Sequence, residues 1–264
     1  KGFFYYFALL LICACQSNQI VRTEHLIEGK SRKDYEARSK NFMISSQGES
    51  TSKAALFIYE RKGNIVDAAI AASLAISVER PHSTGLGGGG FLLLKLAGKA
   101  DPIAFDFREM APHKAFSRMY LDNKGKQIKE KSLTGALASG TPGLIAGLYE
   151  IHKKYGKLPW KDLFIPAIKL AEEGFEIYPA LATAIDYSKD RLCQYPSSEK
   201  IFYHKNCTPK KAGELLIQED LAQTLKLIAK YGRKAFYEGI IAQKIVRSQK
   251  KYHGLMDLKD LKNY

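Results

Sequence analysis

At 264 residues, with 45% hydrophobic and 26% charged side chains, the sequence suits one or two globular domains and excludes a collagen, a coiled coil or a disordered tail. Its 41 Lys and Arg against 27 Asp and Glu leave a formal net charge of +14. The basic clusters at Lys124–Lys131 (KGKQIKEK), Lys205–Lys211 and Lys250–Lys251 are scattered, without the aromatic-interleaved motif of an RNA-recognition sheet or the spacing of a zinc finger; nucleic acid is therefore not expected as a partner, and the charge reads as a solvated lysine-rich surface with an anionic membrane as its more natural counterpart.

In chain order, Lys1 flanks an uninterrupted apolar run, Phe3–Ala14 (FFYYFALLLICA). The run is too short to cross a bilayer comfortably and has the length of a signal peptide's apolar region. A buried core helix is the competing reading, weakened by the polar QSNQ that follows at once. The first residue is lysine, not methionine, which suggests further residues ahead of it. The run closes on Ile12-Cys13-Ala14-Cys15, which resembles the lipobox of bacterial lipoproteins. That resemblance implies a lipoprotein-type signal peptide over 1–15 and lipidation of Cys15 as the first mature residue. Acyl chains contribute roughly 0.8 kcal/mol per buried methylene, enough for several to anchor firmly. Cleavage and release is the alternative. Residues 16–40 are polar and mixed in charge and read as a tether to a domain over 41–264. The expected location is outside the cytoplasm, in a bacterial periplasm or on its membrane.

The next segment, Ser50–Lys62, predicts a helix stopped at Gly63. Asn64 then caps Ile65–Val78 (IVDAAIAASLAISV), which is apolar on nearly every face and so predicts a helix buried between layers. Pro81 ends it, and Gly85-Leu86-Gly87-Gly88-Gly89-Gly90 leads into a predicted strand at Phe91–Leu96, a turn at 98–101 and a second strand at Ile103–Phe107. Period-two alternation puts Ile103, Phe105 and Phe107 on one face and Ala104, Asp106 and Arg108 on the other. Gly140-Thr141-Pro142-Gly143 reads as a turn. Helices are predicted at Leu144–Tyr155, at Leu163–Glu173 closed by Gly174, at Asp220–Tyr231 closed by Gly232, and at Phe236–Gln249. No repeat is visible, and the order points to a layered α/β architecture without regular βαβ alternation.

Gly85, Gly87 and Gly90 match G-x-G-x-x-G literally, but a dinucleotide fingerprint needs a strand before it and a helix after it. Here the order is reversed, and Phe91 stands where a Walker loop needs lysine. The remaining explanation is steric: glycines permit positive φ and close backbone contact where a helix turns into a sheet. Arg108 has two open readings. One is a surface arginine paired with Asp106 or Glu109; the other is capture of a substrate carboxylate by the planar guanidinium fork at a strand exit. No G-x-S-x-G, H-E-x-x-H or paired C-x-x-C is present, and His25, His82, His113, His152, His204 and His253 show no ligand spacing, so no metal and no cofactor is expected. Cys193 and Cys207 close a short polar loop; an oxidising compartment would permit a bridge worth roughly 3 kcal/mol in the chain-entropy treatment, and two free thiols are the alternative.

Several blocks together resemble the gamma-glutamyltranspeptidase family, from about Met43 to Tyr264. Gly63–Ala69 is similar to its GGNAVDAA helix start, Gly85–Phe91 to its GLGGGGF turn, Phe105–Pro112 to its DFREMAP segment and Ser139–Gly143 to its SGTPG turn. Tyr155-Gly156, Leu158-Pro159, Pro166-Ala167, Phe236–Gly239 and Gly254–Tyr264 continue the series. The resemblance implies an N-terminal-nucleophile hydrolase, an αββα sandwich that this chain holds only in part. It implies a precursor that cleaves itself and exposes a threonine as nucleophile, with that threonine's own amine as base. The γ-glutamyl group of glutathione or a similar compound then passes through an acyl-enzyme to water or an amino acid. The motif position of that threonine lies beyond Tyr264, so no catalytic residue is expected within this chain, and the partner it needs is the small subunit. On the same grounds Arg108 is expected to bind the substrate α-carboxylate, and Glu109 to orient Arg108 or line its pocket. Two other readings stay open: a cephalosporin or glutaryl acylase of the same fold, and a non-catalytic membrane-anchored protein that binds γ-glutamyl compounds. Without its partner sheet, the apolar helix Ile65–Val78 is expected to be partly uncovered.

Overall fold

The computed structural model describes residues 38–264. The predicted leader 1–15 with Cys15, and nearly all of the tether 16–40, lie outside the described residues. The chain divides into two units, Lys1–Met43 and Ile44–Tyr264. In the described part of the first, Ser39 Oγ accepts the Asn41 amide at 3.4 Å. All helices and strands of the described residues belong to the second.

Helix α1 (Glu49–Glu60) has no capping side chain of its own at Gly48. A carboxylate from elsewhere does that work: buried Glu79 accepts the Ser50 amide at 3.0 Å, the Thr51 amide at 2.8 Å and the Thr51 hydroxyl at 2.7 Å. An anion at this end also meets the positive pole of the helix. The predicted stop at Gly63 shifts. The left-handed residue is Lys62 (φ 68°), and Gly63 is needed for room, since a Cβ there would lie 2.7 Å from Ile58 Cγ2.

Helix α2 (Ile65–Glu79) starts on a capping box in which Asn64 accepts the Val66 and Asp67 amides and Asp67 accepts the Asn64 amide. Asp67 is fully buried and also accepts the Lys157 and Leu158 amides at 3.0 and 3.1 Å, so its desolvation is offset by backbone donors from a distant loop. Ile70, Ala71, Leu74, Ala75 and Val78 have no exposed surface. Neighbouring helices cover these five, while Ile65 is 57% exposed and Ala69 is exposed, so α2 is partly uncovered as expected. Phe91 (69%) and Leu93 (72%) of the hairpin add to the apolar exposure.

That hairpin pairs β1 (Phe91–Leu94) with β2 (Ile103–Asp106) antiparallel, in register Phe91↔Asp106 to Leu94↔Ile103. β1 is shorter than predicted at the turn, where Lys95 Nζ binds the carbonyls of Lys99 and Ala100 and draws the chain out of the ladder, and β2 starts at Ile103 as predicted. Alternation holds: Ala104 and Asp106 are exposed, Ile103 and Phe105 half-buried and Phe107 buried.

Then come α3 (Lys129–Leu133), α4 (Leu144–Tyr155) and α5 (Ile165–Glu173), the last preceded by a 3-10 turn over Trp160–Phe164 with Pro166 in its first helical turn. Short elements follow: β3 (Phe175–Glu176), α6 (Pro179–Tyr187), α7 (Lys189–Leu192), α8 (Pro196–Phe202), β4 (Tyr203–His204), β5 (Thr208–Pro209) and β6 (Leu215–Leu216). The chain continues with α9 (Glu219–Tyr231), α10 (Arg233–Tyr237), α11 (Ile240–Lys251) and α12 (Leu258–Asn263). The predicted helix Phe236–Gln249 is thus two. Tyr237 is buried with its hydroxyl on the Pro142 carbonyl, which fixes α10, and extended Gly239 re-aims the chain into α11.

Among the described residues the sheets are three two-stranded ribbons, β1–β2, β3–β6 and β4–β5. One face of the first, with Leu92, Leu94 and Phe105, packs against the helical core, and the layered α/β class holds. The main core joins α1, α2, α4, α5 and α9–α11; a smaller one gathers Ile177, Leu181, Ile185, Tyr203 and Leu216. Cys193 and Cys207 are joined by a disulfide beside the smaller core, with Cα atoms 6.1 Å apart. No helix among the described residues is long and apolar enough to cross a membrane.

Candidate functional site

Three segments meet at the exit of β2. The ladder continues one step past the strands, with Phe107 N–H to Gly90 O at 3.0 Å and Gly90 N–H to Phe107 O at 3.2 Å. Gly88 O accepts the amides of Gly143 and Leu144 at 3.0 and 2.9 Å, stitching the glycine turn to the Gly140–Gly143 turn. Met110 and Thr141 exchange backbone bonds at 3.1 and 2.7 Å. Gly89 is required by proximity: a Cβ on it would overlap the Phe107 carbonyl and come within 2.9 Å of Arg108 Cα. Positive φ plays no part, for none of Gly85, Gly87, Gly88, Gly89 and Gly90 adopts it, and at Gly85 and Gly87 a Cβ would meet open space. The steric explanation of the turn is corrected to close approach alone, at its second half.

This knot holds Arg108 at the rim of an open cleft of about 620 Å³, whose walls include Ser73, His82, Thr84, the glycine turn and Glu109. The backbone amide of Arg108 donates to Asp106 Oδ1 at 3.0 Å. Its side chain is 60% exposed, with Nε 3.3 Å from Glu109 Oε2 and the guanidinium 5.7 Å from the Phe91 ring centre. Arg108 is thus a paired surface arginine that also lines a cleft. An exposed pair is worth at most about 1 kcal/mol. It engages only Nε, and among the described residues Nη1 and Nη2 have no hydrogen-bond partner. Their edge can meet a carboxylate with two parallel bonds.

Among the described residues the cleft carries no activated nucleophile. The hydroxyls of Ser73, Ser77, Ser83 and Thr84 donate to the carbonyls of Ala69, Ser73, Arg80 and Ile76, and no histidine or carboxylate base contacts them. His82 sits at the mouth, 3.4 Å from an Arg80 nitrogen; burial, then the Arg80 charge, holds its pKa below the ordinary histidine value.

Sequence reasoning missed what lies behind Arg108. Asp260, in α12, accepts the His113 amide at 2.7 Å and the His113 ring at 2.8 Å, and Asp257 lies 2.8 Å from Lys114 Nζ. Ligand atoms of His113, Asp257 and Asp260 fall within 4.8 Å of one another. Their lone pairs are already engaged by Lys114 and backbone amides, so the group works as a clamp. The Lys114 hydrogen bond holds the Asp257 carboxyl below its usual range, and for Asp260, where burial acts upward, the His113 and Asp257 amides prevail and bring it below too. These partners are separated by 147 positions, and no local pattern signals them. Tyr264 was visible only as the last position of a resembling block; its role is set by contacts with residues far away in sequence.

Against known proteins, the profile described as Gamma-glutamyltranspeptidase matches residues 51–264. The chain is 40% identical over 228 residues to the glutathione hydrolase proenzyme of Escherichia coli strain K12, covering 86% of this chain and 39% of that protein. It thus spans well under half the length of that relative. The crystal structure of Helicobacter pylori gamma-glutamyltranspeptidase superposes with a TM-score of 0.83 at 38% identity, covering 86% of this chain and 65% of the other. A cephalosporin acylase from Bacillus halodurans follows at a TM-score of 0.72 and 26% identity, covering 87% and 45%. With the motif blocks in order, the profile spanning most of the sequence and the backbone shared, the chain belongs to the gamma-glutamyltranspeptidase family.

Proposed function

We propose that this chain supplies the carboxylate-binding wall of an enzyme that moves a γ-glutamyl group from glutathione or a related compound to water or an amino acid. The observation that carries the reading is Arg108, braced at a strand exit on the wall of a cleft, with two guanidinium nitrogens that have no hydrogen-bond partner among the described residues. The cleft's own hydroxyls are unactivated, so the attacking threonine is assigned to the part of the family's length that this chain does not match. Processing of a proenzyme, named for the Escherichia coli relative, comes over to this chain on the same basis. Export through the leader 1–15 and lipid anchoring at Cys15 belong to the proposal too, supported by the apolar run and the Ile12–Cys15 motif.

A glutaryl acylase is the second reading, favoured by the acylase neighbour and disfavoured by its lower identity. A glutaryl amide keeps the carboxylate and lacks the α-amino group. The full-length protein assayed on paired γ-glutamyl and glutaryl amides is expected to prefer the γ-glutamyl substrate in kcat/KM. A preference for glutaryl would replace the proposal with the second reading.

A further inference from the structure

Arg108 is held from behind as well as from its own strand. Tyr264 Oη donates to the Arg108 carbonyl at 2.6 Å, and among the described residues no other donor reaches that oxygen. The Tyr264 ring lies nearly parallel to the Tyr237 ring, with centres 5.9 Å apart and planes at 18°. Tyr237 is fully buried; its hydroxyl donates to Pro142 O at 2.8 Å and accepts the Ala146 amide at 3.2 Å. Gly143 makes room for this stack, since a Cβ there would overlap Tyr264 Oη and the Phe107 carbonyl. Helix α12, which delivers Tyr264, is itself pinned to the segment after Arg108 by Asp260 on the His113 amide.

We propose that Tyr264 is a positioning residue for substrate: by holding the Arg108 carbonyl it fixes the Arg108–Glu109 peptide, and with it the direction in which the guanidinium faces the cleft. The peptide plane sets where both flanking side chains start, so losing its one acceptor bond frees both. Burial, then the charges of Asp106 and Glu109, raises the Tyr264 pKa above the ordinary phenol value, so the hydroxyl stays a donor at working pH. This inference rests on the reading of Arg108 as the carboxylate ligand.

The test is Tyr264→Phe, which keeps the ring stack and removes the hydrogen bond, in the full-length protein with a γ-glutamyl amide substrate. KM is expected to rise about 3- to 10-fold with kcat little changed, the scale of one hydrogen bond. In an Arg108→Lys background the same substitution is expected to add less than about twofold, because it acts through a fork no longer there. An undiminished effect in that background, or a fall in kcat alone, overturns the inference. If Arg108→Lys raises KM and Tyr264→Phe does not, the inference fails while the proposed function stands. If Arg108→Lys leaves KM unchanged, the proposed function loses its ligand and this inference goes with it. Amide exchange gives a reading apart from catalysis: residues 108–110 are expected to exchange faster in Tyr264→Phe, and unchanged protection there also overturns the inference.

Discussion

At the scale of single residues, the site depends on how closely backbones approach. Gly89 lies against Phe107 and Arg108, whereas Gly85 faces open space. Gly89→Ala is expected to destabilise the fold by about 1–3 kcal/mol, the cost of overpacking a contact whose neighbour is backbone. Gly85→Ala is expected to stay within about 0.5 kcal/mol of the parent. Urea unfolding of the two variants checks the contrast, and equal effects would contradict the packing explanation. The exposed place of Arg108 was legible because the alternation of Ile103, Phe105 and Phe107 put it on the outer face at a strand's end. Its brace was not legible: the Tyr264 hydroxyl that holds it is 156 positions away.

At the scale of elements, the strong local signals survive folding. Helices α2 and α4 begin where they were predicted and run as expected, because the Asn64–Asp67 box fixes one start and the Gly140–Gly143 turn fixes the other. The break between α10 and α11 escaped local reading because a tertiary bond from Tyr237 to Pro142 decides it. Helix α12 escaped for the same kind of reason: six residues gain their place through Asp257 and Asp260. Those two carboxyls sit below their ordinary range in the fold, so the folded form takes up protons less readily than the unfolded chain. Their contribution is complete above the unfolded value near ~3.9 and is lost as pH falls through the lower folded values. Protection of the Leu261 amide, corrected for intrinsic exchange, is expected to fall in that acid window, and to be weakened already at neutral pH in Asp260→Asn with a flatter acid response. An identical acid profile in the variant would show that the clamp does not hold α12.

At the scale of the whole molecule, described residues 44–264 build one large helical core around α2 and a smaller one beside the Cys193–Cys207 bridge. The order of elements was legible because hydrophobic runs and glycine or proline breaks are local. The sheet partners were not, because β3 pairs with β6 across the whole of residues 177–214, and β1 leaves Phe91 and Leu93 open. On the proposed reading, this unit supplies an arginine-lined cleft, and the attacking group comes from outside the cleft's own hydroxyls. The central claim is that Arg108 reads a carboxylate. Its most direct test is the ratio of kcat/KM for a γ-glutamyl amide to that for the matching 4-aminobutanoyl amide, which lacks only the carboxylate, in the full-length protein and in Arg108→Ala. Charge-assisted hydrogen bonds of about 1.5–3 kcal/mol predict that the parent's preference falls roughly 10- to 150-fold in the variant. An unchanged ratio would contradict the claim.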